Sequence, residues 1–330
     1  MTKPIHIAVI GGDGIGPEVV EAELAVLEAT GLPWDFKHYR AGDDCLAETG
    51  QALPPETLAG ALAAKAVVFG AAGVTAADVI LKLRAELGTF VNLRPSVAMA
   101  GVECLHPQTD LVIVRENTEC LYTGIEAAIA PGVVTATRVI TRAASERIAR
   151  YALAYARENG RSKVTAVHKA NVLRKSDGLF LDSCRRAAKD FPDVNYEEAL
   201  VDSVAMRLVM RPEEFEVVVT TNLFGDILSD LAAGLIGGLG MCPSANLGPE
   251  RALFEPVHGT APDIAGQGKA NPGAAIMCGA MLLRHLGYTE IAQNVEQALA
   301  KAVAEKQSTP DLGGRLTTKG MTQAVIDRML

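Results

Sequence analysis

Asp226 and Asp230 stand four residues apart behind a β-branched run, in Glu216-Val-Val-Val-Thr-Thr-Asn-Leu-Phe-Gly-Asp-Ile-Leu-Ser-Asp230. If a Gly turn ends the strand Glu216–Thr220 and a helix follows, the i, i+4 spacing aims both carboxylates out of one helix face near its first turn. Capping and the helix dipole account for an acid at a helix start, and so for Asp226. They do not account for Asp230, a turn further on among Ile227, Leu228, Leu231 and Ala232, where a packed face calls for an apolar residue. Paired carboxylate oxygens are the donors that a hard cation, Mg²⁺ or Mn²⁺, selects. Asp202, at the head of a helical stretch, is a cap taken alone and a third oxygen donor if the fold brings it to the other two.

Arg84, Arg94 and Arg115 each read as ending a helix or strand, and their forked guanidinium groups suit a substrate that carries carboxylates. The plainer alternative is ion pairing with Glu86, Glu116 or Glu119. Lys169 follows the strand Lys163–Val167 and His168, which puts it at a carboxyl end of the sheet, where open α/β sheets hold ligands. Beside a cation it is a candidate base. Tyr122 is ambiguous in isolation.

The elements that must position these groups alternate along the chain. Strand-like runs at 5–10, 66–70, 110–114, 163–167 and 216–220 are interleaved with helical stretches such as 18–29, 76–87 and 273–286, the pattern of an α/β protein with a largely parallel sheet. Around 121–142 the alternation after Ala130-Pro-Gly predicts a protruding β hairpin, an arm suited to another subunit. The 330 residues, 49% apolar, are enough for a sizeable core. A net charge of −8 argues against nucleic acid or an anionic membrane as partner. The six cysteines lack C-x-x-C spacing, no apolar run reaches ~18 residues, and the N-terminus runs directly into Ile5–Ile10, so a cytoplasmic protein with reduced thiols is expected.

Two Gly-rich segments remain. Gly11-Gly-Asp-Gly-Ile-Gly-Pro17 lacks the glycine spacing of a dinucleotide fingerprint and the Gly-Lys-Ser/Thr ending of a P-loop. It predicts a tight strand-to-helix turn with Pro17 opening the helix. The segment from Phe254-Glu-Pro-Val-His-Gly-Thr-Ala-Pro-Asp-Ile-Ala-Gly266 to Asn271-Pro272 is a long loop without the charge of a disordered one, which marks it as functional.

Together, Gly12-Asp-Gly-Ile-Gly-Pro, Asn92-Leu-Arg-Pro, Arg115-Glu-Asn-Thr-Glu, His168-Lys-Ala-Asn171, Asn222-Leu-Phe-Gly-Asp-Ile-Leu-Ser-Asp, Glu255-Pro-Val-His-Gly-Thr-Ala-Pro-Asp and Asp311-Leu-Gly-Gly resemble the β-decarboxylating dehydrogenases. That family includes the isocitrate, 3-isopropylmalate, homoisocitrate and tartrate enzymes, and the resemblance covers nearly the whole chain. It implies a non-Rossmann α/β fold with a large cofactor-binding domain from both termini (1–99 and 237–330). A smaller inserted domain (100–236) would carry substrate, metal and dimer contacts, with a β arm at the interface of a homodimer that shares its active sites. The resemblance makes Asp202, Asp226 and Asp230 ligands of one Mg²⁺ or Mn²⁺, with Asp202 and Lys169 supplied by the partner subunit. It makes Arg84, Arg94 and Arg115 the carboxylate binders, counts Asp202 among the catalytic residues with Lys169, the base for the C2 hydroxyl, and makes Tyr122, helped by Lys169, the residue that returns a proton to C3. It gives the long loop to the cofactor, through Glu255, His258, Gly259, Ala261, Asp263, Ile264 and Asn271. Asp263-Ile264 matches the NAD pattern, since a carboxylate accepts hydrogen bonds from ribose hydroxyls and repels a 2′-phosphate.

For the substrate, the residues before Arg84 disfavour isocitrate, because Asp78 and Ile80 stand where isocitrate enzymes carry Ser and Asn. Ile80 and Leu81 would present an apolar wall to the C3 substituent, which suits 3-isopropylmalate. The stretch Gly70–Arg84 resembles archaeal-type 3-isopropylmalate and 3-methylmalate enzymes. The alternative for Ile80 and Leu81 is the buried face of a helix. One departure from the family is Cys120, which follows Arg115-Glu-Asn-Thr-Glu119 where glycine is common and would be strained if the site requires positive φ.

Overall fold

The computed structural model describes residues 3–329. In chain order the first elements are β1 (Ile5–Gly12), α1 (Gly16–Ala29), β2 (Trp34–Tyr39), α2 (Asp43–Thr49), α3 (Pro55–Ala63) and β3 (Ala66–Ala71). A π-helical turn (Ala77–Leu81) then leads into α4 (Lys82–Glu86). The middle of the chain forms β4 (Val91–Val97), β5 (Asp110–Glu116), β6 (Glu126–Ala130), β7 (Val133–Ala136), α5 (Arg142–Glu158), β8 (Lys163–His168), α6 (Ser176–Ala188), β9 (Asn195–Leu200), α7 (Val201–Met210), β10 (Val217–Thr220) and α8 (Asn222–Leu235). The remainder is β11 (Pro243–Leu247), β12 (Ala252–Pro256), α9 (Gly273–His285), α10 (Thr289–Ala304) and α11 (Thr318–Ile326).

Two compact units result: 1–89 with 98–107 and 236–330, and 90–97 with 108–235. The first has strands in the order β2-β1-β3-β12-β11, parallel except for the β11/β12 hairpin. Its core is built from the inward residues of β1 and β3 with Val79, Leu83 and Leu87. The second has the order β4-β5-β10-β8-β9, parallel except for β4/β5. Leu111, Ile113, Val167 and Val218 of that sheet pack on Leu228, Ala232 and Leu235 of α8. The largely parallel sheet of the sequence reading forms, each unit also carrying one antiparallel pair that the alternation does not specify. The expected boundary near 99/100 is crossed differently, because β4 pairs along its whole length with β5 and so belongs to the second unit, while 98–107 returns to the first.

Other departures are local. The helix expected over 76–87 is a π turn followed by one short α-helix. No Gly turn separates β10 from α8: the strand ends at Thr220 and the helix starts at Asn222, so Gly225 lies inside it. The hairpin β6/β7 forms as expected, every one of its residues exposed, with Ile129 63% and Val134 67% exposed. None of the six cysteines is in a disulfide. Among the described residues no helix is long and apolar enough to cross a membrane. In the core, Glu23 of α1 lies against Gly279 of α9, fully buried, with neither carboxylate oxygen hydrogen-bonded. Burial holds its carboxyl well above the ordinary value.

Candidate active site

In the second unit, five of the candidate residues meet on one face of α8. Because α8 begins at Asn222, Asp226 is a full turn inside the helix, and neither it nor Asp230 is explained by a cap or the dipole. Asn222, Asp226 and Asp230 recur every four residues and so share a face. Arg115, near the end of β5, donates from Nε and Nη2 to Asn222 Oδ1 at 2.9 and 2.7 Å and from Nη1 to Asp226 Oδ1. Arg94, mid-way along β4 rather than at its end, donates to Asn92 Oδ1 (2.8 Å) and Ser229 Oγ (2.6 Å). It also lies 3.4 Å from Asp226 and 3.5 Å from Asp230. Tyr122 Oη donates to Asp226 Oδ2 at 2.6 Å, and the Arg115 guanidinium carbon sits 4.9 Å from its ring centre. Burial, with Asp226 as a hydrogen-bond partner, raises the Tyr122 hydroxyl above its usual value, so it stays protonated at neutral pH.

Gly225 makes this packing possible. A Cβ there would come within 2.6 Å of Arg115 Cγ, so the glycine admits the arginine instead of turning the chain. Two of the expected alternative partners have other donors. Glu116 accepts from the backbone of Thr118 and Glu119, and Glu119 accepts from Thr141, its hydroxyl and backbone both.

Lys169 and Asp202 form a second, separate pair. Lys169 follows β8 directly, and Asp202 lies in the first turn of α7, whose cap position is Leu200, so Asp202 is not the cap its sequence context allows. Lys169 Nζ donates to Asp202 Oδ1 at 2.5 Å, and that bond lowers the carboxyl below its ordinary value. The backbone N–H of Lys169 donates to buried Asp177 at 2.6 Å, and Asp177 is itself held by Arg138. Among the described residues no three His, Cys, Asp or Glu side chains gather as a cation site, so Asp202 does not join Asp226 and Asp230 within one chain.

The first unit holds the remaining candidates. Arg84, 7% exposed, donates from Nη2 to Glu255 Oε1 at 2.7 Å, and Asn246 donates to the same oxygen at 2.7 Å. Arg84 Nε is buried without a partner. In the π turn, Ile80 packs partly against the core cluster while Leu81 is half-buried outside it. Within the long loop, His258 Nε2 is buried and unpartnered, and burial keeps the imidazole neutral. Gly259 and Asp263 are exposed. Ala261 takes a φ of 37°, and it packs with Ile264 on Ile15 and Val19. Asn271 is tied into the fold: its oxygen accepts from Gly273 N–H (2.8 Å) and its amide donates to Asp311 (2.9 Å).

These arrangements fit the groups the sequence implies. The carboxylates offer the all-oxygen donor set of a hard cation. The loop offers an orphaned imidazole nitrogen, small residues and an exposed carboxylate to a dinucleotide. Sequence reasoning missed Asn92, Asn222, Ser229 and Asn246, which aim the arginines and Glu255. The four-residue recurrence of Asn222 with the two acids was the available signal for one of them.

Residues 6–327 match the family model described as isocitrate/isopropylmalate dehydrogenase. The chain is 58% identical to the 3-isopropylmalate dehydrogenase of Archaeoglobus fulgidus over 94% of its length and 95% of that protein. It is 54% identical to the 3-isopropylmalate/3-methylmalate dehydrogenase of Methanocaldococcus jannaschii over 98% of both. It is 50% identical to an isocitrate/homoisocitrate dehydrogenase of Thermus thermophilus, again over 98% of both. A crystal structure of isocitrate dehydrogenase from Methylococcus capsulatus superposes with a TM-score of 0.94 at 44% identity, over 98% of this chain and 99% of that one. The chain belongs to the isocitrate/isopropylmalate dehydrogenase family.

Proposed function

We propose that the protein catalyses the NAD-dependent oxidative decarboxylation of 3-isopropylmalate to 4-methyl-2-oxopentanoate and CO₂, a step of leucine biosynthesis, as a homodimer with shared active sites. The observation that carries the substrate is the apolar pair Ile80 and Leu81 in the turn before Arg84. The names of the archaeal relatives support the same choice.

In this reaction Arg84, Arg94 and Arg115 bind and orient the two carboxylates of the substrate, a role suited to buried forks already fixed by Glu255, Asn92, Ser229 and Asn222. The three aspartates, Asp202 from the partner copy with Asp226 and Asp230, would hold Mg²⁺ or Mn²⁺, which when bound stabilises negative charge at the C2 oxygen. Glu255, His258, Gly259, Ala261, Asp263, Ile264 and Asn271 would hold NAD, which when bound supplies the hydride acceptor. Lys169 accepts the C2 hydroxyl proton through water. Tyr122, protonated at neutral pH, gives a proton to C3 after the carboxylate departs.

Dimerisation is supported by apolar surface. Met206, Val209 and Met210 on α7 and Ile227 on α8 are each more than half exposed, as are Ile129 and Val134 of the hairpin. NADH formation measured in parallel with 3-isopropylmalate, 3-methylmalate, homoisocitrate, isocitrate, tartrate and D-malate, with Mg²⁺ and with chelator, tests the reading. The highest kcat/KM is expected for 3-isopropylmalate, with activity abolished by chelation. A clear preference for homoisocitrate or isocitrate would overturn the substrate assignment, and activity that survives chelation would overturn the cation.

A further inference from the structure

The turn Gly12–Pro17 with Glu18 matched no ligand-binding motif, yet more hydrogen bonds radiate from it than a strand-to-helix turn requires. The carboxylate of Asp13, 6% exposed, accepts at Oδ1 from the backbone N–H of Asp43 (2.8 Å) and Asp44 (3.4 Å). Its Oδ2 accepts from Gly73 N–H at 2.9 Å. Asp43 in turn accepts from Val74 N–H (2.9 Å), Thr75 N–H (2.8 Å) and the Thr75 hydroxyl (2.7 Å). Thr75 is buried, and its carbonyl starts the next element by accepting from Asp78 and Val79. That element is the π turn bearing Ile80 and Leu81, continuous with the helix of Arg84. Two carboxylates in series thus fix the segment that leads to the proposed substrate-binding residues. A π turn is an uncommon backbone conformation and needs such outside support.

The other side of the same turn holds the long loop at both ends. Ile15 N–H donates to Thr260 O at 2.9 Å, and Gly14, with a φ of 59°, has no room for a Cβ against that carbonyl. Glu18 accepts from Ala270 N–H (3.1 Å), Gly268 N–H (3.3 Å) and the Thr318 hydroxyl. Between those anchors Ile15 and Val19 pack on Ala261, Ile264 and Ala270.

We propose that Gly12–Glu18 is a positioning hub: Asp13 acts through Asp43 and Thr75 to set the substrate-binding turn, and Glu18 sets the cofactor loop. The proposal rests on the substrate and cofactor assignments above for its kinetic arm only. An amide in place of the Asp13 carboxylate can accept on one side, but its NH₂ must then oppose either Gly73 N–H or the Asp43 and Asp44 N–H groups. Asp13→Asn therefore loosens the turn without changing side-chain volume. Removing the Thr75 hydroxyl acts at the far end of the same relay.

The test is hydrogen exchange of the free enzyme together with kinetics on Asp13→Asn, Thr75→Val, Thr75→Ser and Glu18→Gln. Asp13→Asn and Thr75→Val should speed exchange at 73–79 and raise KM for 3-isopropylmalate about tenfold, leaving KM for NAD within about twofold. Thr75→Ser, which keeps the hydroxyl, should restore both. Glu18→Gln should do the reverse, speeding exchange at 268–270 and raising KM for NAD alone. Unchanged exchange at both segments, equal rises in both KM values, or a Thr75→Ser variant no better than Thr75→Val would overturn the proposal. If the wild type does not oxidise 3-isopropylmalate with NAD, the functional reading fails, and the segment-specific exchange still decides the hub.

Discussion

Cys120 has a φ of 75° and a ψ of −138°, a region that side chains with a Cβ rarely enter, and it is fully buried. Its backbone is pinned there by mutual hydrogen bonds with Val139, and Arg138 donates to its sulfur at 3.2 Å. The strain therefore sits two residues before Tyr122 and is held by the start of the helix-leading segment that follows the hairpin. Both Cys120→Gly and Cys120→Ala lose the thiol, so comparing them isolates the backbone. Glycine should be more stable than alanine by about 1 kcal/mol in denaturant unfolding, the reverse of the usual order. Alanine proving equal or better would mean that the backbone relaxes at no cost. The sequence made this residue suspicious through its resemblance to a family with glycine there. It could not show that Arg138, in contact with the thiol, also holds the Asp177 carboxylate that accepts from Lys169 N–H.

At the scale of elements, α8 carries the site because its first turn is not a turn of loop. Reading Gly225 as a strand terminator placed the helix start too late and made Asp226 look like a cap. The physical reason is invisible in one dimension: the glycine is small because Arg115 crosses it. Gly225→Ala should displace the Arg115 side chain, destabilise the protein by about 1–3 kcal/mol and raise KM for the substrate. A neutral substitution would show that the arginine has room to spare. The strands were legible because β-branched runs bounded by Gly or polar residues admit few alternatives. The π turn was not, since its hydrogen bonds depend on Asp43 and Asp13, over thirty residues away in sequence. The α1–α9 contact gives a pH prediction. Glu23 has a folded-state pKa raised by burial, so the folded chain binds its proton more tightly than the unfolded chain. That stabilising contribution is complete below the ordinary carboxyl value, near pH ~4.3, and is lost as pH rises above it, by up to ~1.4 kcal/mol per unit. The stability of wild type relative to Glu23→Gln should therefore decline between pH 5 and 8. A difference that is flat with pH would contradict it.

Across the whole molecule, one chain supplies two incomplete sets of groups. Tyr122, Arg94 and Arg115 surround Asp226 and Asp230, while Lys169 is bound to Asp202 elsewhere in the same unit. Acids, a lysine and arginines are conspicuous by residue type, so the sequence named every member but Tyr122 from its own residues. The role of Tyr122, and the assignment of Lys169 and Asp202 to a partner, came only through family resemblance. The proposed chemistry needs both sets around one substrate, and thus two copies of the chain. The most direct test uses Asp226→Asn and Lys169→Ala, each expected to lower turnover by orders of magnitude as a homodimer. The two are co-expressed with different tags and the heterodimer is purified. With shared sites, one site of the heterodimer carries both substitutions and the other carries neither, so about half of wild-type activity should return. If each site belongs to a single chain, both sites stay defective and the heterodimer is as inactive as its parents, which would contradict the account.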